Sequence, residues 1–274
     1  MPDDLPEEAG GPAVWQRDPR VAIDQLFLSE KYKIGSLTIT RCGSAFVKNF
    51  LFWLDHEEPH PGALNIHDYN DELPRGDTLT DGQAEDYLNF IIVRNPVDRF
   101  LALYFGRILG RERPKFKWLL DAIEQDGGPT EHPISLEEHR AYCKFLIGWI
   151  ERTFHGEVDQ KPNALWLPQR LRVNAARAIT AKILTLDGLN DQLFVLLGAR
   201  IENVRAQMAR TPRARPQDRL FPKNELLTKD ILDDINRVYA HDRHIWLSAR
   251  NAWSDVDMGF ADEDEVPQLA SKLT

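Results

Sequence analysis

The sequence predicts an α/β fold with a central parallel sheet and helices on both faces. Three short apolar segments read as buried strands: 35–40 (GSLTIT), 88–93 (LNFIIV) and 182–186 (KILTL). Each runs into a polar or Gly-containing turn and then into a pattern of helical period. Strands that alternate with helices in this way build a parallel sheet.

Residues 1–20 are acidic, contain Pro and Gly and have no period, so they read as a loose arm. After the first strand, Val47, Phe50, Leu51 and Leu54 recur at i, i+3, i+4, i+7, one face of a helix. Residues 56–86 are rich in Pro, Asp and Gly. They read as a long loop, and a loop of that length beside a parallel sheet is often functional. After the second strand, Asn95 suits an N-cap, Pro96 the first helical position and Asp98 the first turn. Val97, Phe100, Leu101 and Tyr104 carry the stripe onward, and Gly110 is the expected stop. Ser135 and Glu138 form a capping-box pattern ahead of Tyr142, Phe145, Leu146 and Trp149. The third strand is followed by Leu189, Leu193, Leu196 and Leu197. Residues 209–224 form a second long loop. A last helix carries Ile231, Leu232, Ile235, Val238 and Tyr239, and 262–274 read as a loose tail. No clear linker interrupts 21–261, which is expected to be one domain.

The chain has 274 residues and a formal net charge of −9, with 34 Lys and Arg against 43 Asp and Glu. That balance argues against a general nucleic-acid footprint but leaves room for a local basic pocket. Two cysteines, Cys42 and Cys143, cannot build a disulfide framework and fit a reducing compartment. The N-terminus lacks the basic and apolar regions of a signal peptide, and no apolar run approaches the roughly 18 residues of a membrane span. The expectation is a cytoplasmic protein with neither nucleic acid nor membrane as partner.

Two segments carry chemistry. In the first, Ile39-Thr40-Arg41-Cys42-Gly43-Ser44-Ala45-Phe46-Val47-Lys48-Asn49, a strand turns through small residues into a helix. Small side chains let backbone N–H groups close on an anion, the helix start adds donors and partial positive charge, and Arg41 and Lys48 add full charges. Such a segment suits a phosphate or sulfate, although an ordinary strand–turn–helix with a steric glycine has the same look. The GxxxxGK[ST] phosphate loop is absent, which counts against a Walker-type ATPase or kinase. The second segment runs Val93-Arg94-Asn95-Pro96-Val97-Asp98-Arg99-Phe100-Leu101-Ala102-Leu103-Tyr104. An Arg at the carboxyl end of a central strand sits where open α/β sheets bind ligands, and its fork can grip a phosphate. Pairing of Arg94 with Asp98 is the other reading.

Together the segments resemble the phosphosulfate-binding pair of the sulfotransferase superfamily, in particular the carbohydrate-type family. The first motif there reads roughly Pro-Lys-x-Gly/Ala-Cys/Ser/Thr-Thr/Ser with a further Lys. The second reads Val-Arg-Asp/Asn-Pro-x-x-Arg-x-x-Ser-x-Tyr. Fainter similarities lie at Ile66-His67, at Trp166-Leu167-Pro168-Gln169 and at Tyr239 with Asp242, so the resemblance spans about 33–247. It implies a three-layer, P-loop-like fold and transfer of a sulfuryl group from 3′-phosphoadenosine 5′-phosphosulfate (PAPS) to a hydroxyl or amine, on a carbohydrate or small metabolite, leaving PAP. It implies that the N–H groups around Cys42, Gly43, Ser44, Ala45 and Phe46 cradle the 5′-phosphosulfate. Arg41 and Lys48 then offset its charge, and Arg94 holds the 3′-phosphate. No metal is implied. Two positions depart from the pattern: Arg41 replaces the motif Lys, and Ala102 replaces the motif Ser. A binding protein that has lost transfer activity, or a phosphotransferase on a related fold, are the alternatives.

His67 is the candidate base that deprotonates the acceptor, with Asp68 or Asp71 to orient it, while His56 and His60 stay open. His241 and His244 read as surface positions of a helix. Arg210, Arg213, Arg215, Arg219 and Lys223 make a basic loop, either a gate over the donor or acceptor or a solvated stretch. Cys42 in an anion loop is open to a lowered pKa. Phe50, Trp53, Phe145 and Trp149 read as core.

Overall fold

Residues Leu26–Ser29 (β1) and Ile34–Leu37 (β2) form a hairpin in the computed structural model, with Leu26 opposite Leu37 and Ser29 opposite Ile34. The structure describes residues 26–76, 79, 83–110, 113–213 and 221–254. The expected arm at 1–20 and tail at 262–274 lie outside them. β2 is the first predicted strand, shorter than the 35–40 read from sequence because Thr38–Thr40 already belong to the exit loop. β1 is a correction to the sequence reading. Its four residues, LFLS, show no alternation, since all are buried, and nothing local separates them from a piece of loop.

Ser44–His56 (α1) follows β2, and a 3₁₀ segment, Ala63–Glu72, occupies the middle of the predicted 56–86 loop. Leu88–Val93 (β3) then pairs in parallel with β2, Gly35 facing Asn89. Pro96–Leu103 (α2) leaves β3 almost at once. The Asn95 side chain accepts from Val97 N at 2.9 Å, and Pro96 occupies the first turn, as the cap chemistry predicts. Gly110 does not end a regular helix: α geometry stops at Leu103 and a π-helical turn, Tyr104–Ile108, follows. Next come Lys117–Gln125 (α3) and Leu136–His155 (α4). α4 starts at the predicted capping box, with Ser135 Oγ accepting from Glu138 N and Glu138 accepting from Ser135 N. Gln169–Ala178 (α5) leads into Lys182–Thr185 (β4), parallel to β3 with Phe90 facing Lys182. Leu189–Leu197 (α6), Val204–Arg210 (α7), Lys223–Leu226 (α8), Lys229–Val238 (α9) and Ala240–Ser254 (α10) complete the described chain. The predicted last helix is therefore two, broken at Tyr239 where the backbone leaves helical angles.

Among the described residues the sheet has four strands in the order β1-β2-β3-β4, parallel except for the antiparallel edge β1. The strands are buried nearly throughout, the pattern of a sheet covered by helices rather than one facing water. α1 packs on β1, α5 on β3 and β4, and α6 and α10 on β4. Phe50, Phe90, Ile91, Leu184 and Leu193 belong to the core around this sheet. A second, helical core gathers Phe100, Tyr104, Trp149, Trp166 and Ile235 from α2, the π turn, α4, the 165–167 segment and α9. No helix among the described residues is long and apolar enough to cross a membrane.

Candidate functional site

Because β2 and β3 are parallel neighbours, their carboxyl ends open on one side of the sheet, and both chemical segments start there. The exit from β2 turns sharply. Arg41 has φ 69° and Gly43 φ 82°, both left-handed. For Gly43 the absence of a side chain also matters sterically, since a Cβ there would lie 2.9 Å from Leu186 Cδ1. For Arg41 the same conformation carries a backbone penalty of about 1 kcal/mol. α1 begins directly after this turn with no side-chain cap and no acidic residue in its first turn. Its first N–H groups therefore point at the loop as donors, with the positive end of the helix behind them.

The side chains of Cys42 and Phe46 turn inward. Cys42 is 1% exposed and its Sγ lies 3.2 Å from Gln169 Oε1. Burial pushes its thiol up, to about 11, against the pull of Arg99 and Arg94. The lowered pKa that the loop position suggested is thus reversed, because the sulfur is packed in the core; the expected Cys42 N–H donor is also taken, by the Ile39 carbonyl at 3.1 Å, so the cradle is left to the residues that follow. Phe46 stacks on Phe50 at 5.7 Å, and the Arg213 guanidinium lies 5.0 Å above its ring.

Arg94 extends from the end of β3 toward the same loop, its Nη1 donating to the Arg41 carbonyl at 3.1 Å. Asp98 forms an ion pair with Lys223, at 3.1 Å. The backbone of Arg94 is held by a side chain that acts as a short strand: Arg94 N donates to Gln169 Oε1 at 2.9 Å and Gln169 Nε2 donates to Arg94 O at 2.8 Å. Gln169 is held in turn by Asp242, whose carboxylate accepts from Gln169 N at 2.7 Å and Arg170 N at 2.9 Å and so caps α5. Tyr239 donates to Trp166 O at 2.7 Å. Two of the three fainter sequence similarities, the 166–169 segment and Tyr239 with Asp242, are therefore partners of each other. Arg99, 4% exposed, donates to the carbonyls of Thr40, Leu167 and Ala164, fastening the loop to the 164–167 segment.

Lys48 lies on α1 one turn past the loop and is 3% exposed. Its Nζ reaches His67 Nδ1 at 3.1 Å and Asn70 Oδ1 at 2.6 Å, and it sits 4.3 Å above the Phe27 ring. Burial brings its pKa down to about 8. Arg41 falls to about 10, from burial first and then from Arg94 and Arg99. The His67 ring has a solvent-facing surface. Even so, desolvation by the surrounding protein and then the cations Lys48, Arg107 and Arg41 hold its pKa down to about 4, with Asp68 opposing. An ammonium that donates to Nδ1 makes that nitrogen an acceptor and puts the ring proton on Nε2. The orienting partner of His67 is thus Lys48. Asp68 pairs with Lys115 and Asp71 with Arg75, each at 3.3 Å.

The other histidines stand apart from this cluster. His60 is buried, accepts from Gly62 N at 2.9 Å and faces Glu72. His56 stacks on Phe52. His241 and His244 lie exposed on α10, as expected. In the basic loop, Arg213 reaches the anion loop and also Asn190 Oδ1 at 3.1 Å. Arg215 and Arg219 lie outside the described residues. Sequence reasoning missed Arg107, Gln169 as a backbone clamp and Asn70. The Pro-Gln segment was the only signal that pointed toward one of them.

This arrangement joins an N–H-lined loop, three cations around it and a neutral imidazole bonded to one of those cations. It can bind two anionic groups and accept a proton near one of them. The family model described as "Sulfotransferase family" matches residues 24–169, just over half of the chain. The match contains both chemical segments and His67, and it ends on Gln169. No curated protein and no solved structure matches the chain.

Proposed function

This chain belongs to the sulfotransferase family, and we propose that it transfers a sulfuryl group from PAPS to a hydroxyl, or an amine, of an acceptor. What supports the proposal most is Arg94 reaching the Arg41 carbonyl at the uncapped start of α1, at the carboxyl ends of β2 and β3, with Lys48 one turn further along the same helix. The residues fit the donor. The uncapped start of α1 suits the 5′-phosphosulfate, and Gly43 leaves room for close approach. Arg94 suits the 3′-phosphate, for which its fork offers two parallel donors.

The acceptor oxygen forms its bond to sulfur as the bond from sulfur to the bridging oxygen breaks. The electron pair leaves on the 5′-phosphate of PAP. Arg41 and the loop N–H groups stabilise that growing charge. His67 takes the acceptor proton. In the ligand-free arrangement its Nδ1 is occupied by Lys48. The donor's negative charge draws Lys48 toward the loop and releases Nδ1 to act as the base, so that donor binding arms the imidazole. Lys48 serves both states, and Asn70 holds it within reach.

We read 21–261 as one catalytic domain. In support, α2 runs straight from β3 into the helical core and packs on α9. A cytoplasmic setting is in keeping with two free, buried cysteines. The departures Arg41 and Ala102 motivate a second reading, a PAP-binding protein without turnover. Titration with PAP, ADP and ATP, followed by PAPS turnover scored as a one-sulfate mass gain across an acceptor panel, tests both. Selective PAP binding with turnover supports the transferase. Selective binding without turnover supports the second reading, and preference for ATP refutes both.

A further inference from the structure

At the amino end of β4, away from the carboxyl edge that carries the anion loop, a groove of about 320 Å³ opens between the end of α5, the start of β4 and one face of α10. Its floor is apolar, with Ala181 and Ile183 from the strand side and Ile245, Ala249 and Trp253 from the helix. Ser248 and Ala252 also line it, and both are small, so another backbone can lie close along the helix. Trp253 Nε1 donates to Ile183 O at 2.9 Å. That carbonyl of the edge strand is already taken, so an occupant is recognised by its side chains rather than as an added strand. Arg177 and His244, both exposed, stand on the rim. α10 exposes Arg243 and Arg250 as well, while its one acid, Asp242, is buried where it caps α5. In a chain of net charge −9, this helix surface has the opposite sign.

The sequence that follows α10 answers both features. Residues 255–274 lie outside the described residues. Val256, Met258 and Phe260 stand at alternate positions, which is one face of an extended segment. Asp255 and Asp257 alternate with them, and Asp262 to Glu265 make a run of four acids. We propose that the groove between α10 and β4 is the docking site of the chain's own segment 255–265, with Val256, Met258 and Phe260 on the apolar floor and the carboxylates at the basic rim. The lengths agree. The stretch of α10 from His244 to Trp253 is about 14 Å long, which an extended chain covers in about four or five residues. A chain that turns back after Ser254 therefore spans the groove by Phe260 and brings the acidic run to Arg177 and His244. A tethered segment also faces the groove at an effective concentration of roughly millimolar, which favours it over a partner from solution. Once seated it braces α10, the helix whose Asp242 holds Gln169 and, through it, Arg94.

The test is a labelled peptide of residues 255–266, titrated into full chains and followed by fluorescence anisotropy. In the parent the groove is filled from within, so the peptide should bind weakly. A full chain carrying Val256→Ser, Met258→Ser and Phe260→Ser has lost its own anchors and should bind the peptide about tenfold or more tighter than the parent does. Adding Arg177→Glu and His244→Glu to that chain should abolish the binding. Ser248→Trp, which fills the groove without changing charge, should do the same. Raising salt from about 0.05 to 0.5 M should weaken the peptide several-fold. Near-UV circular dichroism reports the folding of each variant, and if the charge variant does not fold, Ser248→Trp and the salt series decide. The inference is overturned if the peptide binds the parent and the anchor variant alike, if it binds neither, or if binding survives the groove substitutions. Sedimentation separates the remaining occupant: a parent dimer that becomes a monomer when the anchors are removed seats the segment in a second copy and overturns the intramolecular site.

Discussion

Lys48 brings an ammonium into the protein interior, and its chemistry follows from that burial. With a folded pKa near 8 against 10.5 in the open chain, the unfolded state holds more protons between those values. The group's destabilising effect is therefore full below pH 8 and relieved between pH 8 and 10.5. An anionic ligand favours the charged form and raises the folded pKa. PAP binding should take up a proton near pH 8 to 9 and none below pH 7, and affinity should fall as pH rises through about 8. Calorimetry in buffers of different ionisation enthalpy reads this directly, and Lys48→Met should remove the uptake and weaken PAP by about tenfold or more. His67 behaves oppositely. With a pKa near 4 in the ligand-free chain it is neutral at every ordinary pH, so kcat/KM for PAPS, which reports the free chain, should stay flat from pH 7 to 5 and fall only toward 4. His67→Ala should lower the rate about 10²-fold or more and leave PAP affinity nearly unchanged. A sharp acid limb near 6.5 in the kcat/KM profile for PAPS would assign the base to another histidine. Arg41→Ala should cut turnover by about 10²–10³ and affect PAP binding far less, since its role grows with the leaving charge.

At the scale of elements, the loop and the end of β3 are held by a relay: Asp242 to Gln169, and Gln169 to Arg94 and Cys42. Gln169→Ala leaves the N–H and carbonyl of Arg94 without this partner. Each such buried group costs about 1–3 kcal/mol, so the denaturation midpoint should fall. PAP affinity should fall with it, although Gln169 is a positioning residue. Gln169→Glu, which keeps an acceptor for Arg94 N but not the donor to Arg94 O, should lie between. Some of this level was legible in advance. The starts of α2 and α4 were predicted because their caps lie within three residues of what they cap. β1 was not, because four buried residues carry no period. The π turn was missed because its sequence, YFGRI, continues an apolar stripe that a regular helix would also use.

On the scale of the whole molecule, a chain of net charge −9 gathers Arg41, Lys48, Arg94, Arg99 and Arg107 around one edge of its sheet. The local field there has the opposite sign to the net charge. PAP association should slow as salt rises, since screening weakens a cationic site's attraction for an anion more than it relieves the distant acidic surface. Stopped-flow rates from about 0.01 to 0.3 M salt test this, and a rate that rises with salt would mean that the net charge dominates. Arg99 links the two cores through three carbonyls. Arg99→Ala should be the most destabilising of these substitutions, because it strands buried acceptors on both sides at once.

Reading the sequence alone determined the strand–turn–helix units, the helix starts, the small-residue loop with its flanking cations, and Arg94 at a strand end. All of these are written in residues a few positions apart, where propensity, capping and hydrophobic period act. Only the tertiary structure decided which distant groups meet. Lys48 finds His67 across 19 positions, Arg94 finds Gln169 across 75, and Gln169 finds Asp242 across 73. It also decided protonation. Cys42 looked activated in an anion loop and Lys48 looked like an ordinary cation, yet burial raises one pKa and lowers the other. Desolvation depends on everything packed around a group, and a linear sequence does not list those neighbours.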